Sequence, residues 1–190
     1  MTHASFVVTV EPTIEPITLA EMKRRLRITA EDFDQELADL IVGGRLAVEY
    51  DTNRKLINQT VAMYLDDFPV EQTMEVRLAP ISTSVITYTD SDGATQTFAA
   101  AKYNTDFDST PPRIKVVDGV FWPSVDDVPN AVTVTMTAGY GATASTVPIT
   151  AKLAVVEWCR AEWADGCGAD SRKYRDLINQ LAWTAIGKAA

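Results

Sequence analysis

The stretch FDQELADLIVGGRLAVEYD, residues 33–51, decides how the chain is read. In it Phe33, Leu37, Leu40, Ile41, Gly44 and Val48 recur at steps of three and four, which predicts one long amphipathic helix with a single apolar face. Glu31, Asp32 and Asp34 stand where negative charge suits the positive end of a helix, so a start is expected at Thr29. Further upstream, Thr18-Leu19-Ala20-Glu21 reads as a capping box, in which Thr18 accepts from the amide three residues on and Glu21 reaches back. A short helix to about Ile28 follows from it. A brief extended start, Phe6 to Val10, and a loop holding Pro12 and Pro16 come before.

Downstream, from Gln59, the period changes. Thr60 to Leu65, Glu75 to Leu78, Ser84 to Thr89, Thr95 to Phe98, Arg113 to Val116 and Ala131 to Thr137 are short, rich in Val, Ile, Thr and Tyr, and parted by Pro, Gly, Asp and Asn. Their clearest joint is Asp92-Gly93, residue types that tolerate the positive φ of a hairpin turn. Helical signals return at Pro148, and Leu153, Val156, Trp158, Cys159 and Trp163 fill a helix to about Asp165. Gly166 and Gly168 break it. Asp170 or Ser171 can cap a last helix in which Tyr174, Leu177, Ile178, Leu181 and Ala185 share one face, ending near Gly187. The expected fold class is α+β: a helical bundle of two N-terminal and two C-terminal helices with an inserted small antiparallel β module. The chain is expected to be a single domain over 1–190, helical over 17–55 and 148–187, with the β module at about 59–140.

Charge narrows the function classes. The net charge is −9, and residues 56–150 hold four basic side chains against eleven acidic ones. That sign is opposite to a duplex-binding surface, so sequence-specific DNA binding is disfavoured. The longest apolar runs, such as Leu153 to Val156, fall far short of the roughly 20 residues a bilayer span needs. The first ten residues lack a basic start and a cleavage site, so no secretory signal and a cytoplasmic setting are expected. Cys159 and Cys167, with His3 the sole histidine, cannot make a four-ligand zinc site, and two free thiols are expected.

Catalytic chemistry finds little footing. A hydrolase nucleophile needs a base, usually histidine, and His3 near the terminus is a poor one. The pairs Asp66 with Asp67, Asp106 with Asp108, and Asp126 with Asp127 could serve a glycosidase or a Mg²⁺ site, or be solvated turn residues beside Pro, Gly and Ser. No phosphate-cradling glycine motif occurs, and Gly139-Tyr140-Gly141 reads as a strand-ending turn. No catalytic residue, metal ligand or cofactor is assigned. The one dense basic run, Lys23, Arg24, Arg25 and Arg27, is either a contact for a partner or a DNA end, or a helix face compensated by Glu31, Asp32 and Asp34. The four tryptophans are core residues or aromatic anchors for another subunit.

Several fragments fall in a recurring order. They are Ile17-Thr18-Leu19-Ala20-Glu21-Met22-Lys23 with Leu26-Arg27-Ile28, then Phe68-Pro69, Arg77-Leu78-Ala79-Pro80-Ile81, Ser84 to Gly93, and Pro112-Arg113-Ile114. Trp122-Pro123, Ala138-Gly139-Tyr140-Gly141 and Val147-Pro148 complete them. Over roughly residues 15–165 the chain resembles the tailed-phage head-tail connector (head-completion or adaptor) family. The resemblance implies a structural virion protein, not an enzyme. It implies a ring, commonly of twelve copies, beneath the portal at the head-tail neck, assembled in the host cytoplasm, with DNA passing through its bore and a tail or stopper docking below. It also implies portal contact through the C-terminal segment, for which Tyr174, Leu177, Ile178 and Leu181 are the candidates. Loops on a rigid sheet suit recognition, so Asp92, Gly93, Phe121 and Trp122 are candidates for intersubunit or tail contact. An acidic wall repels the DNA backbone, so the net charge suits a conduit. The alternatives are a tail accessory module binding a host-surface glycan or protein, and a carboxylate-dependent glycosidase.

Overall fold

The computed structural model describes residues 4–185. His3, the expected helix end near Gly187 and the side chains of Trp183 and Ala185 lie outside what is described. The structure is mixed α+β and richer in sheet than expected. Its strands are β1 (Ser5–Val10), β2 (Gln59–Leu65), β3 (Thr73–Glu75), β4 (Ile81–Thr89), β5 (Thr95–Phe98), β6 (Tyr103–Asp106), β7 (Arg113–Val116) and β8 (Val132–Ala138). Its helices are α1 (Leu19–Leu26), α2 (Asp34–Thr52), α3 (Ile149–Asp165) and α4 (Arg172–Ala185). The chain divides into two compact units. One joins the segment through Glu11 to Gln59–Gly139, and the other joins Pro12–Asn58 to the segment from Tyr140 on.

In the first unit an antiparallel sheet in the order β1-β2-β8-β4-β5 and a second in the order β3-β7-β6 share one core. Alternation explains the arrangement: Val132, Val134, Met136 and Ala138 of β8 are buried while Thr133, Thr135 and Thr137 face away. Val134 stands between Met63 of β2 and Ile86 of β4, so the middle strand buries its apolar face on both neighbours. The unexpected member is β1. Phe6 to Val10 is not a free extended start but the sheet's edge strand, with Val7 opposite Ala62 and a bulge between Val8 and Val10. Two further differences are local. The expected strand at Glu75 to Leu78 sits earlier, at β3, and Tyr103–Asp106 forms a strand that no clear alternation announced.

In the second unit Thr18 caps α1 by accepting the amide of Glu21 at 3.2 Å, a contact of about 1 kcal/mol. Only half of the capping box forms, because Glu21 turns instead to Arg25 at 2.8 Å. Helix α2 starts at Asp34 rather than Thr29. Phe33 occupies its cap position without a side-chain bond, and the amide of Asp34 bonds back to Glu31 in a turn. Nor is α2 a one-faced helix. Leu37, Ile41, Gly44 and Val48 are buried as expected, but Val42, Leu46 and Tyr50 form a second apolar line on its exposed side. Buried Arg45 pairs with Glu15 at 2.8 Å and Glu49, and Glu49 also takes Lys55 and the amide of Leu56. Such a network is costly to leave half-made.

Helix α3 crosses α2 closely. A Cβ on Gly44 would lie 2.9 Å from Cys159 Sγ and 3.2 Å from the Val155 carbonyl. Only glycine permits that approach. Ser171 Oγ accepts the amide of Tyr174 at the start of α4, which packs on α3. No helix among the described residues is long and apolar enough to cross a membrane. Replacing Gly44 with valine forces α2 and α3 apart, and chemical denaturation is expected to show a loss of about 1–3 kcal/mol.

Candidate functional site

The loop after β7 illustrates how the fold redistributes roles. Trp122 stacks on Phe68 at 4.8 Å with an interplanar angle of 8° and leans on Phe98 at 5.4 Å. Its Nε1–H donates to the Glu71 carbonyl at 3.0 Å. Trp122 is thus a half-buried wedge on the sheet core, while its neighbour Phe121 is 74% exposed. With Asp67, Pro69, Val70 and Phe68 these two border a surface cleft of about 400 Å³. Its walls mix aromatic and proline faces with the polar side chains of Asp67, Gln72 and Ser124.

The hairpin between β4 and β5 is organised by Asp90. Its carboxylate accepts Gln96 Nε2 at 2.8 Å and the amides of Ala94 and Asp92 at 2.9 and 3.1 Å. The Gln96 bond first, then the Ala94 amide, hold the Asp90 carboxyl below the usual carboxylate range. Gly93 supplies the one positive φ, 78°, and Asp92 and Gly93 are exposed at the tip.

The basic run splits in two. Lys23 pairs with Asp34 and Arg25 with Glu21, whereas Arg24 and Arg27 are exposed and make no ion pair among the described residues. The last helix is less available than its stripe suggests. Tyr174 and Leu181 are buried in the helical core, Leu177 and Ile178 pack against it, and the Tyr174 hydroxyl donates to Asp51 at 2.7 Å. Gly168 is packed rather than free, since a Cβ there would lie 2.8 Å from the Trp158 ring. Through Gln180, α4 exposes Arg172, Lys173, Arg175, Asp176, Asn179 and Gln180.

The aspartate pairs are tied into turns. Asp66 accepts the amide of Asn130 at 2.9 Å, Asp67 that of Phe68 at 2.7 Å, and Asp126 that of Asp127 at 2.9 Å. Asp106 takes the Ser109 hydroxyl and the Arg113 guanidinium, and these, in that order, pull its carboxyl down to about 2. No group of three or more His, Cys, Asp and Glu side chains among the described residues could hold a metal ion. Both cysteines are free thiols. Burial pushes the Cys159 thiol up to about 12, which removes it as a nucleophile, and it donates to the Leu40 carbonyl.

The residues the sequence reading missed are Val42, Leu46 and Tyr50. Tyr50 is 84% exposed on a helix whose opposite side is buried. Their signal was present as apolar residues off the main stripe, at spacing i, i+4, i+8.

No protein-family model matches this chain, and no curated protein does. Solved structures do. A chain from the neck of an empty gene transfer agent (GTA) particle, computed with C6 symmetry, aligns with a TM-score of 0.74 at 23% identity, covering 94% of both chains. A chain from the virion of a native GTA particle gives 0.71 at 22% identity over 91% of this chain and 94% of the other. One from the neck of a native GTA particle, computed with C12 symmetry, gives 0.68 at 21% identity over the same shares. The protein shares the fold of these chains across nearly its whole length.

Two outcomes are expected from the geometry. Trp122→Ala should lower stability in urea by about 2–3 kcal/mol, since stacking and burial are both lost, while Phe121→Ala stays within about 0.5 kcal/mol. The Asp106 carboxyl is depressed from an ordinary 3.8 to about 2, so its stabilising contribution is present above about pH 4 and is lost as pH falls toward 2. Carboxyl NMR titration should give that low midpoint and a higher one in Ser109→Ala.

Proposed function

We propose that the chain is a structural protein of the neck of a tailed-phage-like particle, where copies form a ring beneath the portal, join head to tail and continue the DNA channel. The observation that carries this is the shared fold with neck chains over nearly the full length of both. The connector-like order of sequence fragments supports it independently. Necks solved with sixfold and twelvefold symmetry support copies repeated about an axis, and a ring of twelve fits both. A cyclic ring joins unlike surfaces of neighbouring copies.

The chemistry suits a passive role. The aspartates serve as turn ties and the buried thiol is inert, so the protein acts by contact rather than turnover. Portal contact through α4 falls to its outward Arg172, Lys173 and Arg175, because the stripe Tyr174, Leu177, Ile178 and Leu181 is committed to the core. Phe121, the cleft beside Trp122, and the Asp92-Gly93 tip are the contacts for a neighbouring copy or the tail. The four basic against eleven acidic residues over 56–150 keep the DNA backbone from being gripped. With Lys23 and Arg25 already paired, two arginines of the basic run remain to meet phosphate, too few for useful duplex affinity at physiological salt.

Electron microscopy of particles carrying a labelled copy tests the reading. Density in a closed ring between portal and tail is expected. Label on the distal tail would favour the accessory module that binds a host surface, and a twofold dimer as the sole oligomer would contradict the ring. Fluorescence anisotropy with duplex DNA at about 150 mM salt, the physiological ionic strength, should show no submicromolar binding.

A further inference from the structure

The outward side of α2 is a surface without a partner in the single chain. Asp39, Val42, Leu46 and Tyr50 fall at steps of three and four and share one face, with Glu36 at its edge. The opposite face, Leu37, Ile41, Gly44 and Val48, already fills the core, so this second apolar line stands outside it. Tyr50 at 84% exposure and Leu46 at 47% are a large aromatic and a large aliphatic side chain carried on the last two turns of a helix. Rigid, exposed residues of that kind are what interface centres are made of. The acidic end of the face is likewise uncompensated. Glu36 makes no ion pair among the described residues, and Asp39 accepts only the Gln35 amide at 2.9 Å.

We propose that this face of α2 seats a second copy of the same chain, whose α1 arginines, Arg24 and Arg27, meet Glu36 and Asp39 beside the Val42-Leu46-Tyr50 line. This rests on the reading that copies form a ring. Charge complementarity singles out the occupant. A chain of net charge −9 repels its own copies, so association requires cations placed against acids, and Arg24 and Arg27 are exposed cations left over from the pairing that neutralises Lys23 and Arg25. The two surfaces differ, acidic and apolar on α2 and basic on α1. In a ring the acidic and apolar face of each α2 meets the basic α1 of the next copy, a contact that repeats head-to-tail.

Full-length protein, alone and assembled on particles, is examined by native mass spectrometry and electron microscopy. Leu46→Glu with Tyr50→Glu should leave a folded chain that melts cooperatively and raise the concentration needed for half assembly at least about tenfold. Glu36→Lys with Asp39→Lys, and separately Arg24→Glu with Arg27→Glu, should each stop ring closure by setting like charges together. Mixed one to one, these two variants restore opposite charges at every joint and should assemble into alternating rings with an even number of copies. Rings of wild-type yield from either charge variant alone, a mixture no better than its components, or Leu46 and Tyr50 variants that lose only attachment to the portal would overturn the proposal. Wild-type protein that forms no ring in either setting sinks the neck reading itself. Intact rings in the variants sink only the assignment of this face.

Discussion

The sheet unit depends on β2 finding two partners that lie far from it along the chain. Val61 stands opposite Val8 on one side and Met136 on the other, partners separated from it by the whole helical segment Pro12–Asn58 and by most of the remaining strands. Strand period is two, so a slip of one residue in either pairing would turn Val61, Met63 and Leu65 out of the core and bring the half-buried Thr60 and Tyr64 into it. Register is therefore fixed by burial on one face, and the price is loop closure over long separations. The short strand β1, with its bulge, makes the final edge of that arrangement.

The helical unit answers to a different constraint, the distance between α2 and α3. Gly44 lets the two backbones approach until Cys159 and Val155 touch it, and the same approach hides Cys159 so thoroughly that its thiol is a packing atom with a single donor bond. At the far end of α2 the polar side chains Arg45 and Glu49 are buried too. They are tolerable because Glu15, Lys55 and the Leu56 amide pair with them. Tyr174 extends the pattern from α4, burying its ring while its hydroxyl reaches Asp51. Helix α4 is in this way tied to α2.

These commitments decide which side chains remain for other molecules. Trp122 is spent on Phe68 and Phe98, so Phe121 is the aromatic on offer. Tyr174 and Leu181 are spent on the core, so through Gln180 the outward side of α4 is charged and polar. Half of the basic run is spent on Asp34 and Glu21. What is left is a set of well-held contact features: Phe121, the outward side chains of α4, and Arg24 with Arg27.

Sequence alone determined the local events, because their causes lie within a few residues. Thr18 capping α1, Gly93 turning the hairpin, Pro148 opening α3 and the alternation of β8 all follow from side-chain type and spacing. The α+β class was legible for the same reason, and the order of short motifs carried the resemblance to connectors. Tertiary structure decided whatever depends on a partner distant in sequence. Only pairing with β2 makes Phe6 to Val10 a strand, and only competition from Arg25 takes Glu21 away from its cap. Periodicity marks a residue as apolar on a helix but not which neighbour will cover it. Tyr174, Leu177, Ile178 and Leu181 therefore became core, while Val42, Leu46 and Tyr50, equally apolar and equally well spaced, were left facing out.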